Sequence, residues 1–273
     1  MVLTLDRPLV SAVIPTFNRA WSLGRAVDSV LNQAYRPLEL IVVDDGSTDE
    51  TPRQLAPLAA RGRLLLVRQP RRGVSAARNA GLRAARGSLL AFLDSDDEWL
   101  PGKIETQVEF LNRHPDQVLV QTRERWFRGG RRVNPGRRHR KLAGDIFVPS
   151  LGLCLISPSA VMLRRSLLDE VGLFDEDLPA AEDYDLWLRI LARHPAGLID
   201  RELVIRHGGR PDQLSAQPAL DRWRILALEK ILRADLSPEQ RRAAEAELAR
   251  RQAIYLAGRR KRQGPPPGQN TAG

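Results

Sequence analysis

Short apolar runs alternate with segments of helical spacing over the first third of the chain. The apolar runs predict four strands, at residues 10–14, 38–43, 63–67 and 88–93. Between them, apolar or small residues at helical spacing predict helices at 19–33 and 74–86. Strands that alternate with helices over short connections are typical of a doubly wound, mostly parallel sheet. The sequence therefore predicts an α/β fold with a central sheet flanked by helices.

The second half of the chain is less regular. Apolar periodicity predicts a helix that ends near His114, followed by strand-like runs at 118–121 and 160–163. Three further helices are predicted, at residues 182–194, 221–234 and 238–257. The last residues, 263–273, are rich in proline and glycine and are predicted to be disordered. The chain thus ends in a helical extension and a disordered tail.

Polar loops follow three of the predicted strands, at residues 15–19, 44–49 and 94–98. In a doubly wound sheet, ligands bind in the crevice beyond the carboxyl ends of the strands. Since all three loops lie at such ends, we expect them to converge on one ligand-binding crevice.

Composition narrows the class of protein. The chain has 273 residues, of which 42% are hydrophobic and 28% charged, as in a globular protein. Its one cysteine, Cys154, excludes an intramolecular disulfide and favours a reducing compartment. The N-terminus lacks the basic start and apolar centre of a signal peptide, and the uncharged run 146–163 contains prolines that a spanning helix tolerates poorly. We therefore predict a cytoplasmic protein without a transmembrane segment.

The formal net charge of +10 indicates either an anionic binding partner or an arginine-rich surface exposed to solvent. Residues 121–141 carry nine Lys and Arg against one acid, Glu124, and a second cluster lies at 259–262. Such clusters suit anionic lipid headgroups or phosphorylated ligands, and a solvated arginine-rich surface is an equal alternative. Trp126 and Phe127 are too few to form a base-stacking platform, which disfavours nucleic acid. We predict peripheral contact with the inner face of the cytoplasmic membrane.

The stretch 94–98, Asp-Ser-Asp-Asp-Glu, gathers four carboxylates at a strand end. They would repel a nucleotide diphosphate by roughly 1–4 kcal/mol per close pair, unless a divalent cation reversed the interaction. Hard oxygen ligands select Mg²⁺ or Mn²⁺, and the D-x-D spacing lets Asp94 and Asp96 point the same way. Asp97 and Glu98 are alternatively acids that cap a turn.

Five motifs in order resemble glycosyltransferase family 2. They are VIPTFNR at 13–19, VVDDGSTD at 42–49, GVSAARNAG at 73–81, FLDSDD at 92–97 and EDYDLWLR at 182–189. The resemblance covers about residues 8–215 and implies the GT-A fold. It also implies transfer of a sugar from a nucleotide-sugar donor, with inversion at the anomeric carbon and with Mn²⁺ or Mg²⁺ as cofactor.

On the donor side, the resemblance implies that Asp96 ligates the metal, while Asp94, beside Ser95, contacts the donor ribose or the metal's water shell. Asp45 would accept a hydrogen bond from the base, such as that of a uracil N–H. Asp44 would contact the nucleotide beside Asp45 or, as the alternative, hold the turn. Further nucleotide-sugar contacts are expected from the first loop and from the 73–81 motif: Pro15, Thr16, Phe17, Arg19, Gly73, Arg78 and Asn79. For Phe17, a place in the core is the alternative. For Arg78 and Asn79, bracing of the loops is an equal alternative, and Arg19 is equally a helix-capping residue.

On the acceptor side, inverting transfer needs a carboxylate that removes the acceptor hydroxyl proton. Asp183 is the predicted base, with Glu182 binding acceptor hydroxyls or exchanging roles with it. For both residues, helix capping is the alternative. His207, in an expected flexible loop, matches a further metal ligand or diphosphate contact in some relatives. Arg206 and Arg210 are candidates to neutralise the leaving diphosphate.

The predicted organisation follows from these motifs. Residues 1–215 form the GT-A domain, with a nucleotide-sugar half at about 8–100 and an acceptor half at about 101–215; 216–262 form the helical extension. The expected partners are a nucleotide sugar, with UDP favoured, and a saccharide or lipid-linked saccharide of cell-envelope polysaccharide or glycolipid assembly. A nucleotidyltransferase or a nucleotide-binding protein of the same α/β class is the alternative, although the first loop lacks a glycine-rich phosphate-binding sequence.

Overall fold

The computed structural model describes residues 7–134, 136–209 and 220–263. Its strands are β1 Val10–Thr16, β2 Leu38–Asp44, β3 Leu65–Arg68, β4 Leu89–Phe92, β5 Glu98–Trp99, β6 Leu119–Arg128, β7 Arg131–Val133, β8 Val161–Arg164 and β9 Gly197–Gly208. Its α-helices are α1 Ala20–Leu31, α2 Thr51–Ala60, α3 Val74–Ala84, α4 Lys103–Arg113, α5 Phe147–Gly152, α6 Ser166–Val171, α7 Glu182–Leu191, α8 Leu220–Ile231 and α9 Pro238–Gln263.

The first four strands form the parallel part of the sheet, in the order β3-β2-β1-β4. The β1–β2 register pairs Val10 with Leu38 and Thr16 with Asp44, so both strands end at the same level. Every residue of β1 is buried. Successive residues of β1 alternate between two cores, with Val13 in one and Ile14 in the other. Both faces of the sheet are therefore covered, as the sequence predicts.

Beyond β4 the sheet is mixed, in the order β8-β6-β9-β5, with β7 paired to β6. β8 is antiparallel to β4 and β6, whereas β6 and β9 run parallel with a register shift near Arg123. β9 was not predicted, and it contains His207, which the sequence had suggested to lie in a flexible loop. This placement corrects that expectation, because β9 is one of the longest strands in the described part of the chain.

Helix α3 packs closely on the parallel strands because Gly81 lacks a side chain. A Cβ at this position would collide with Val13 on β1 and come within 3.2 Å of Val43 on β2. The close approach brings Arg78, one turn earlier on the same helix, over the end of the sheet. The packing of α3 thus positions a side chain of the candidate site.

The C-terminal helices share a core with the acceptor half. Leu228 of α8 and Ala244 of α9 are fully buried in the same cluster as Trp187 of α7. Lys230 of α8 adds an ion pair to Asp185, with Nζ 2.7 Å from Oδ1. The helical extension therefore braces α7. The predicted domain boundary at 215/216 and the tail beyond residue 263 lie outside the described residues.

Candidate active site

The loops after β1 and β2 are joined by hydrogen bonds centred on Asn18. Its backbone N–H donates to Ser47 Oγ at 2.9 Å, and its side-chain oxygen accepts from the Thr48 N–H at 2.8 Å. Asn18 has a φ of +51°, a conformation uncommon outside glycine. The predicted convergence of these two loops is thus seen in the structure, with Asn18 as the link.

Asp45 is buried and holds the loop that leads into α3. Its carboxylate accepts hydrogen bonds from the side-chain amide of Gln69 at 2.7 Å and from the backbone N–H groups of Arg72 and Gly73 at 2.9 and 2.8 Å. Gly73 has a φ of +94°, which a side chain would strain. Three donors inside the protein therefore already engage the carboxylate that the sequence assigned to the nucleotide base.

Asp44, the preceding residue, is fully buried and has a different environment. Its Oδ1 accepts from the Ser47 N–H at 2.9 Å. Its Oδ2 has no hydrogen-bond partner among the described residues, although the Arg68 Nε lies 3.5 Å away. The hydroxyl of Thr16, opposite Asp44 on β1, is likewise buried without a described partner. Two buried polar atoms at the carboxyl ends of β1 and β2 thus have no hydrogen-bond partner among the described residues.

Phe17 lies half-buried just beyond these atoms, and Pro15 is buried within β1. The guanidinium of Arg71 lies over the Phe17 ring, 4.1 Å from its centroid. Arg19 precedes α1 as its N-cap. Its carbonyl accepts from the N–H groups of Ser22 and Leu23, each at 2.9 Å, so its main chain has the capping role considered for it. Phe17 and Arg71 together offer a flat cationic and aromatic surface next to the strand ends.

The acidic stretch after β4 divides into buried and accessible members. Asp97 is buried, where its carboxylate accepts from Ser159 Oγ at 2.7 Å and from the His207 N–H at 3.1 Å. Burial raises the pKa of Asp97 well above its ordinary value, and the negative charges of Asp96 and Asp94 add to this effect. Asp97 therefore fixes the loop, in line with the structural alternative considered for it.

Glu98 and His207 pair with each other across β5 and β9, with His207 Nε2 2.7 Å from Glu98 Oε1. Ser95 is buried, and its carbonyl accepts from Ser22 Oγ at 2.9 Å. Asp94, Asp96 and Glu98 are only partly buried, and since Glu98 is paired with His207, the D-x-D motif supplies the other two accessible acids of the stretch. The predicted metal role of His207 stays a prediction.

Arg78 joins the donor and acceptor halves at the centre of the site. Its Nη2 donates to Asp94 Oδ1 at 2.8 Å, and its Nη1 donates to Glu182 Oε1 at 2.5 Å. Burial lowers the pKa of Arg78, but the carboxylates of Asp94, Glu182 and Asp183 outweigh it and raise that pKa above its ordinary value. The guanidinium also lies over the Phe174 ring, 5.2 Å from the centroid. Arg78 is therefore a fixed cation between the D-x-D motif and α7.

Asn79, next to Arg78, braces the loop before α7. Its amide nitrogen donates to the Phe174 carbonyl at 2.9 Å and to Glu176 Oε1 at 3.0 Å, while its oxygen accepts from the Phe174 N–H at 3.1 Å. Of the two roles considered for Asn79, these contacts correspond to loop bracing.

Helix α7 presents Glu182 and Asp183 at its first turn, after Ala181 with a φ of +61°. Glu182 is buried, and burial raises its pKa to about 7 even though Arg78 opposes the shift. Asp183 is half-buried, with Oδ2 3.7 Å from the Cys154 thiol. The acceptor contact predicted for Glu182 stays a prediction, since its observed partner is Arg78.

A second charged cluster lies beside α7 and includes Arg206, whose predicted neighbour Arg210 lies outside the described residues. Lys141 Nζ is 3.5 Å from Glu124 Oε1, and Arg206 Nη1 is 3.9 Å from Glu124 Oε2. Glu124 and Lys141 are largely buried, and burial lowers the pKa of Lys141 although Glu124 opposes it. The charges of Glu124, Asp97, Asp94 and Asp183 overcome burial and raise the pKa of Arg206. Arg206 therefore belongs to the same electrostatic site as the D-x-D motif.

The carboxylates of the site can hold a divalent cation only when a bound substrate supplies further oxygen atoms. Among the residues that the structure describes, no group of three or more His, Cys, Asp or Glu side chains is arranged to hold a metal ion. Mg²⁺ is commonly bound through one or two carboxylates plus substrate phosphates, and Asp96 and Asp94 supply carboxylates of that kind. The residues present therefore fit a cation that arrives with a diphosphate.

A family model described as "Glycosyl transferase family 2" matches residues 11–172, more than half of the chain. The chain belongs to glycosyltransferase family 2. The resemblance inferred from the five motifs is thus confirmed.

Curated relatives agree with the family assignment. An uncharacterised glycosyltransferase of Rickettsia prowazekii is 32% identical over 204 residues, which cover 73% of this chain and 63% of that protein. The chain thus spans less than two thirds of that relative's length. The UDP-Glc:alpha-D-GlcNAc-diphosphoundecaprenol beta-1,3-glucosyltransferase WfgD of Escherichia coli is 32% identical over 194 residues, covering 68% of this chain and 71% of that enzyme.

Solved structures confirm the GT-A fold. S. aureus TarS in complex with UDP-GlcNAc superposes with a TM-score of 0.70 at 21% identity, covering 91% of this chain and 72% of that one. The mannosyltransferase PcManGT of Pyrobaculum calidifontis, in complex with GDP-Man and Mn²⁺, gives a TM-score of 0.65 at 22% identity, covering 93% of this chain and 75% of that one.

Sequence reasoning missed two parts of the site. The buried pair of Glu124 and Lys141 went unrecognised, although Glu124 is the one acid within the basic segment 121–141. A lone acid among nine cations is a signal of a local ion pair. Arg71 over Phe17 was also missed, and no sequence pattern marks it.

Proposed function

We propose that this enzyme transfers a sugar from a UDP-linked donor to an acceptor hydroxyl with inversion at the anomeric carbon. The observation that carries the proposal is the contact of Arg78 with both Asp94 and Glu182, because it joins the D-x-D motif to the first turn of α7. In a solved complex, TarS holds UDP-GlcNAc on the same fold. The nucleotidyltransferase alternative has no comparable support, since β1 is followed by Phe17, Asn18 and Arg19 and not by a glycine-rich loop.

In the proposed mechanism, the nucleotide base lies against Phe17, with Asp44 Oδ2 accepting its N–H and the diphosphate directed toward Asp94 and Asp96. A divalent cation held by Asp96, with help from Asp94, would neutralise charge on the leaving diphosphate. Arg206 adds a fixed positive charge on the acceptor side. Asp94 is kept in place by Arg78, which therefore orients the donor end of the site.

Asp183 acts as the base in this mechanism. Its carboxylate takes the proton of the acceptor hydroxyl while the hydroxyl oxygen attacks the anomeric carbon and forms the new glycosidic bond. The bond from the anomeric carbon to the diphosphate oxygen breaks, and its electron pair leaves with the nucleoside diphosphate. Attack on the face opposite the leaving group inverts the configuration.

We further propose that the acceptor is a lipid-linked saccharide used in cell-envelope polysaccharide or glycolipid assembly. WfgD acts on a GlcNAc-diphosphoundecaprenol acceptor, as its name states. No helix in the described residues is long and apolar enough to cross a membrane. Ile254 and Leu256 of α9 are 43% and 51% exposed, near Arg259, which suits peripheral contact with an anionic bilayer.

Transfer assays test the function directly. We expect the purified chain to transfer sugar from a UDP-sugar to α-D-GlcNAc-diphosphoundecaprenol, to lose activity in EDTA and to regain it with Mn²⁺ or Mg²⁺. Asp183→Asn is expected to lower kcat by about 10²–10⁴-fold with little change in the donor KM. Full activity of Asp183→Asn, or activity indifferent to EDTA, would contradict the proposed mechanism.

Flotation tests the membrane contact separately. We expect the wild-type protein to float with anionic liposomes at low salt and to be released at high salt, because polybasic contacts are screened. Ile254→Asp with Leu256→Asp should reduce flotation while transfer to a water-soluble acceptor is retained. Equal recovery with zwitterionic and anionic liposomes would exclude an electrostatic contact.

A further inference from the structure

A cavity of about 230 Å³ opens beside the acceptor half, between the β6–β7 hairpin and the turn that follows it. Its lining includes Trp126, Arg128, Asn134, Arg138 and His139. Pockets for drug-sized ligands are about 300–1,000 Å³, so this cavity suits a smaller group. We define it as the hairpin cavity.

Five arginines of the hairpin and of the turn after it fall into two sets, whereas Arg131 and Arg140 are exposed and belong to neither. Those on the β9 side are paired: Arg123 Nη1 lies 3.0 Å from Asp200, and both Arg125 and Arg132 bind Glu202 at 3.0 and 2.9 Å. The two that line the cavity have no carboxylate partner among the described residues, and both are exposed. The protein thus neutralises one side of the hairpin and leaves the cavity positively charged.

The protonation state of His139, which also lines the cavity, is consistent with the same positive charge. Arg138 Nε donates to His139 Nε2 at 3.2 Å, which requires the imidazole to be neutral and to accept at that atom. Burial lowers the pKa of His139, and the positive charges of Arg138, Arg206 and Lys141 add to the effect. Planar guanidinium groups beside a neutral imidazole suit an anion with several oxygen acceptors, such as a phosphate.

The cavity is linked to the reaction centre through Arg206. The Arg206 guanidinium lies over the Trp126 ring, 5.0 Å from its centroid, while its charge interacts with Asp94 and Asp183. Arg206 therefore joins the wall of the cavity to the electrostatic environment of the candidate base, whereas the nucleotide is proposed to bind at the ends of β1 and β2. An acceptor carrying a phosphate could place its hydroxyl and its anionic group in the two places at once.

We propose that the hairpin cavity binds the phosphate or diphosphate group of the acceptor, with Arg128 and Arg138 as its principal ligands. This inference rests on the proposed function, because it assigns the acceptor end of the same site. A nucleotide also carries a diphosphate. The test must therefore distinguish binding of the acceptor's phosphate from binding of the nucleotide's diphosphate. Arg128 and Arg138 then determine which acceptors the enzyme uses, because they favour saccharides that carry a phosphate over saccharides that do not.

The first experiment measures binding of inorganic pyrophosphate by calorimetry in EDTA, which removes metal-dependent binding at the D-x-D motif. The test variant is Arg128→Ala with Arg138→Ala. The matched control is Arg131→Ala with Arg140→Ala, which removes the same charge from exposed positions of the same segment that do not line the cavity. We expect affinity to fall at least tenfold in the test variant and less than threefold in the control.

Two outcomes of this experiment would overturn the inference. Equal losses in both double variants would show general attraction by a basic surface. Displacement of pyrophosphate by UDP, together with wild-type affinity in the test variant, would place the anion in the donor site. Circular dichroism and the thermal midpoint, expected to match the wild-type protein, show whether the variants remain folded.

The second experiment compares two acceptors, α-D-GlcNAc-diphosphoundecaprenol and an alkyl GlcNAc glycoside without phosphate. In the test variant, the KM for the diphosphate acceptor should rise at least tenfold, while the KM values for the glycoside and the donor stay unchanged. A uniform loss with both acceptors would refute acceptor-phosphate recognition. If no nucleotide sugar supports transfer at all, the proposed function fails, whereas pyrophosphate binding still decides whether the cavity is an anion site.

Discussion

Arg78 and Glu182, which are 104 positions apart in the chain, form a buried ion pair with Nη1 2.5 Å from Oε1. The second arm of the same guanidinium binds Asp94 at 2.8 Å. A planar group that binds two carboxylates at once fixes the distance between them. The distance between the carboxylates of Asp94 and Glu182 thus depends on this side chain.

Substitution of Arg78 should therefore reduce both stability and activity. Arg78→Ala leaves the buried Glu182 without a counter-charge and is expected to lower the free energy of unfolding by about 3–5 kcal/mol. Arg78→Lys keeps the charge but cannot span both carboxylates, and a misplacement of about 1 Å can cost about 10²-fold in rate. We expect kcat to fall by that order in Arg78→Lys, measured in the transfer assay.

Arg83→Lys is the matched control, because Arg83 lies on the same helix with its side chain 55% exposed and 3.9 Å from Glu176. It should leave both kcat and the urea midpoint close to the wild-type values. If Arg78→Lys kept the wild-type kcat, simultaneous binding of both carboxylates by the guanidinium would be unimportant for the reaction.

Much of this site is visible in the sequence because its parts lie at strand ends. The runs around Val13 and Val42 identify their strands by local apolar content, and the polar residues that follow must lie at one edge of a parallel sheet. The convergence of Asp44 and Asp94 follows from topology alone. Short right-handed connections restrict the order of the strands, so the relative positions of these residues can be predicted without knowing any distance between them.

Strand β9 escaped prediction because its sequence carries charges where an apolar run was expected. Asp200 and Glu202 lie within it, and their charges are matched by Arg123 and Arg125 on β6. Cross-strand pairs of opposite charge stabilise a sheet, but they depend on a partner strand far away in the chain. The contact of Arg78 with Glu182 is hidden from local patterns for the same reason.

The two aspartates after β2 should affect nucleotide binding differently. Asp44→Asn replaces an acceptor that lacks a described hydrogen-bond partner, so UDP affinity is expected to fall about tenfold or more with little loss of stability. Asp45→Asn places an amide against three N–H donors and should lower the free energy of unfolding by about 1–3 kcal/mol. Calorimetric titration with UDP and urea unfolding separate the two effects. A larger loss of UDP affinity in a fully stable Asp45→Asn would assign the base contact to Asp45, as the sequence predicts.

Stability should decrease as pH rises across the range set by Glu182. Its pKa in the folded protein is about 7, above the ordinary value of 4.5, so the folded state holds the proton more strongly between these values. The stabilisation is fully present below pH 4.5 and is lost as the pH rises through about 7. Glu182→Gln, whose amide still accepts from Arg78, should flatten the decrease.

Glu109→Gln is the control for this titration, because Glu109 is 41% exposed in a surface pair with Arg113. Urea unfolding at half-unit pH steps should give the same slope for this variant as for the wild-type protein. The raised pKa of Asp97 acts in the same direction, so a smaller decrease is expected to remain in Glu182→Gln. An unchanged slope in Glu182→Gln would show that Glu182 is ionised throughout.

Lys103 should give the opposite pH dependence at high pH. Its side chain is fully buried, with Nζ 2.7 Å from Gln107 Oε1 and 4.1 Å from the centre of the Trp99 ring. Burial lowers its pKa well below the ordinary value of 10.5, so the unfolded state binds the proton more strongly between the lowered pKa and 10.5. Stability is therefore expected to rise with pH in that interval, by up to about 1.4 kcal/mol per pH unit. Lys103→Met removes the titrating group and should abolish the rise, as measured by urea unfolding between pH 7 and 10. A rise of equal slope in wild-type protein and Lys103→Met would assign it to other groups, because the two proteins differ only at this amine.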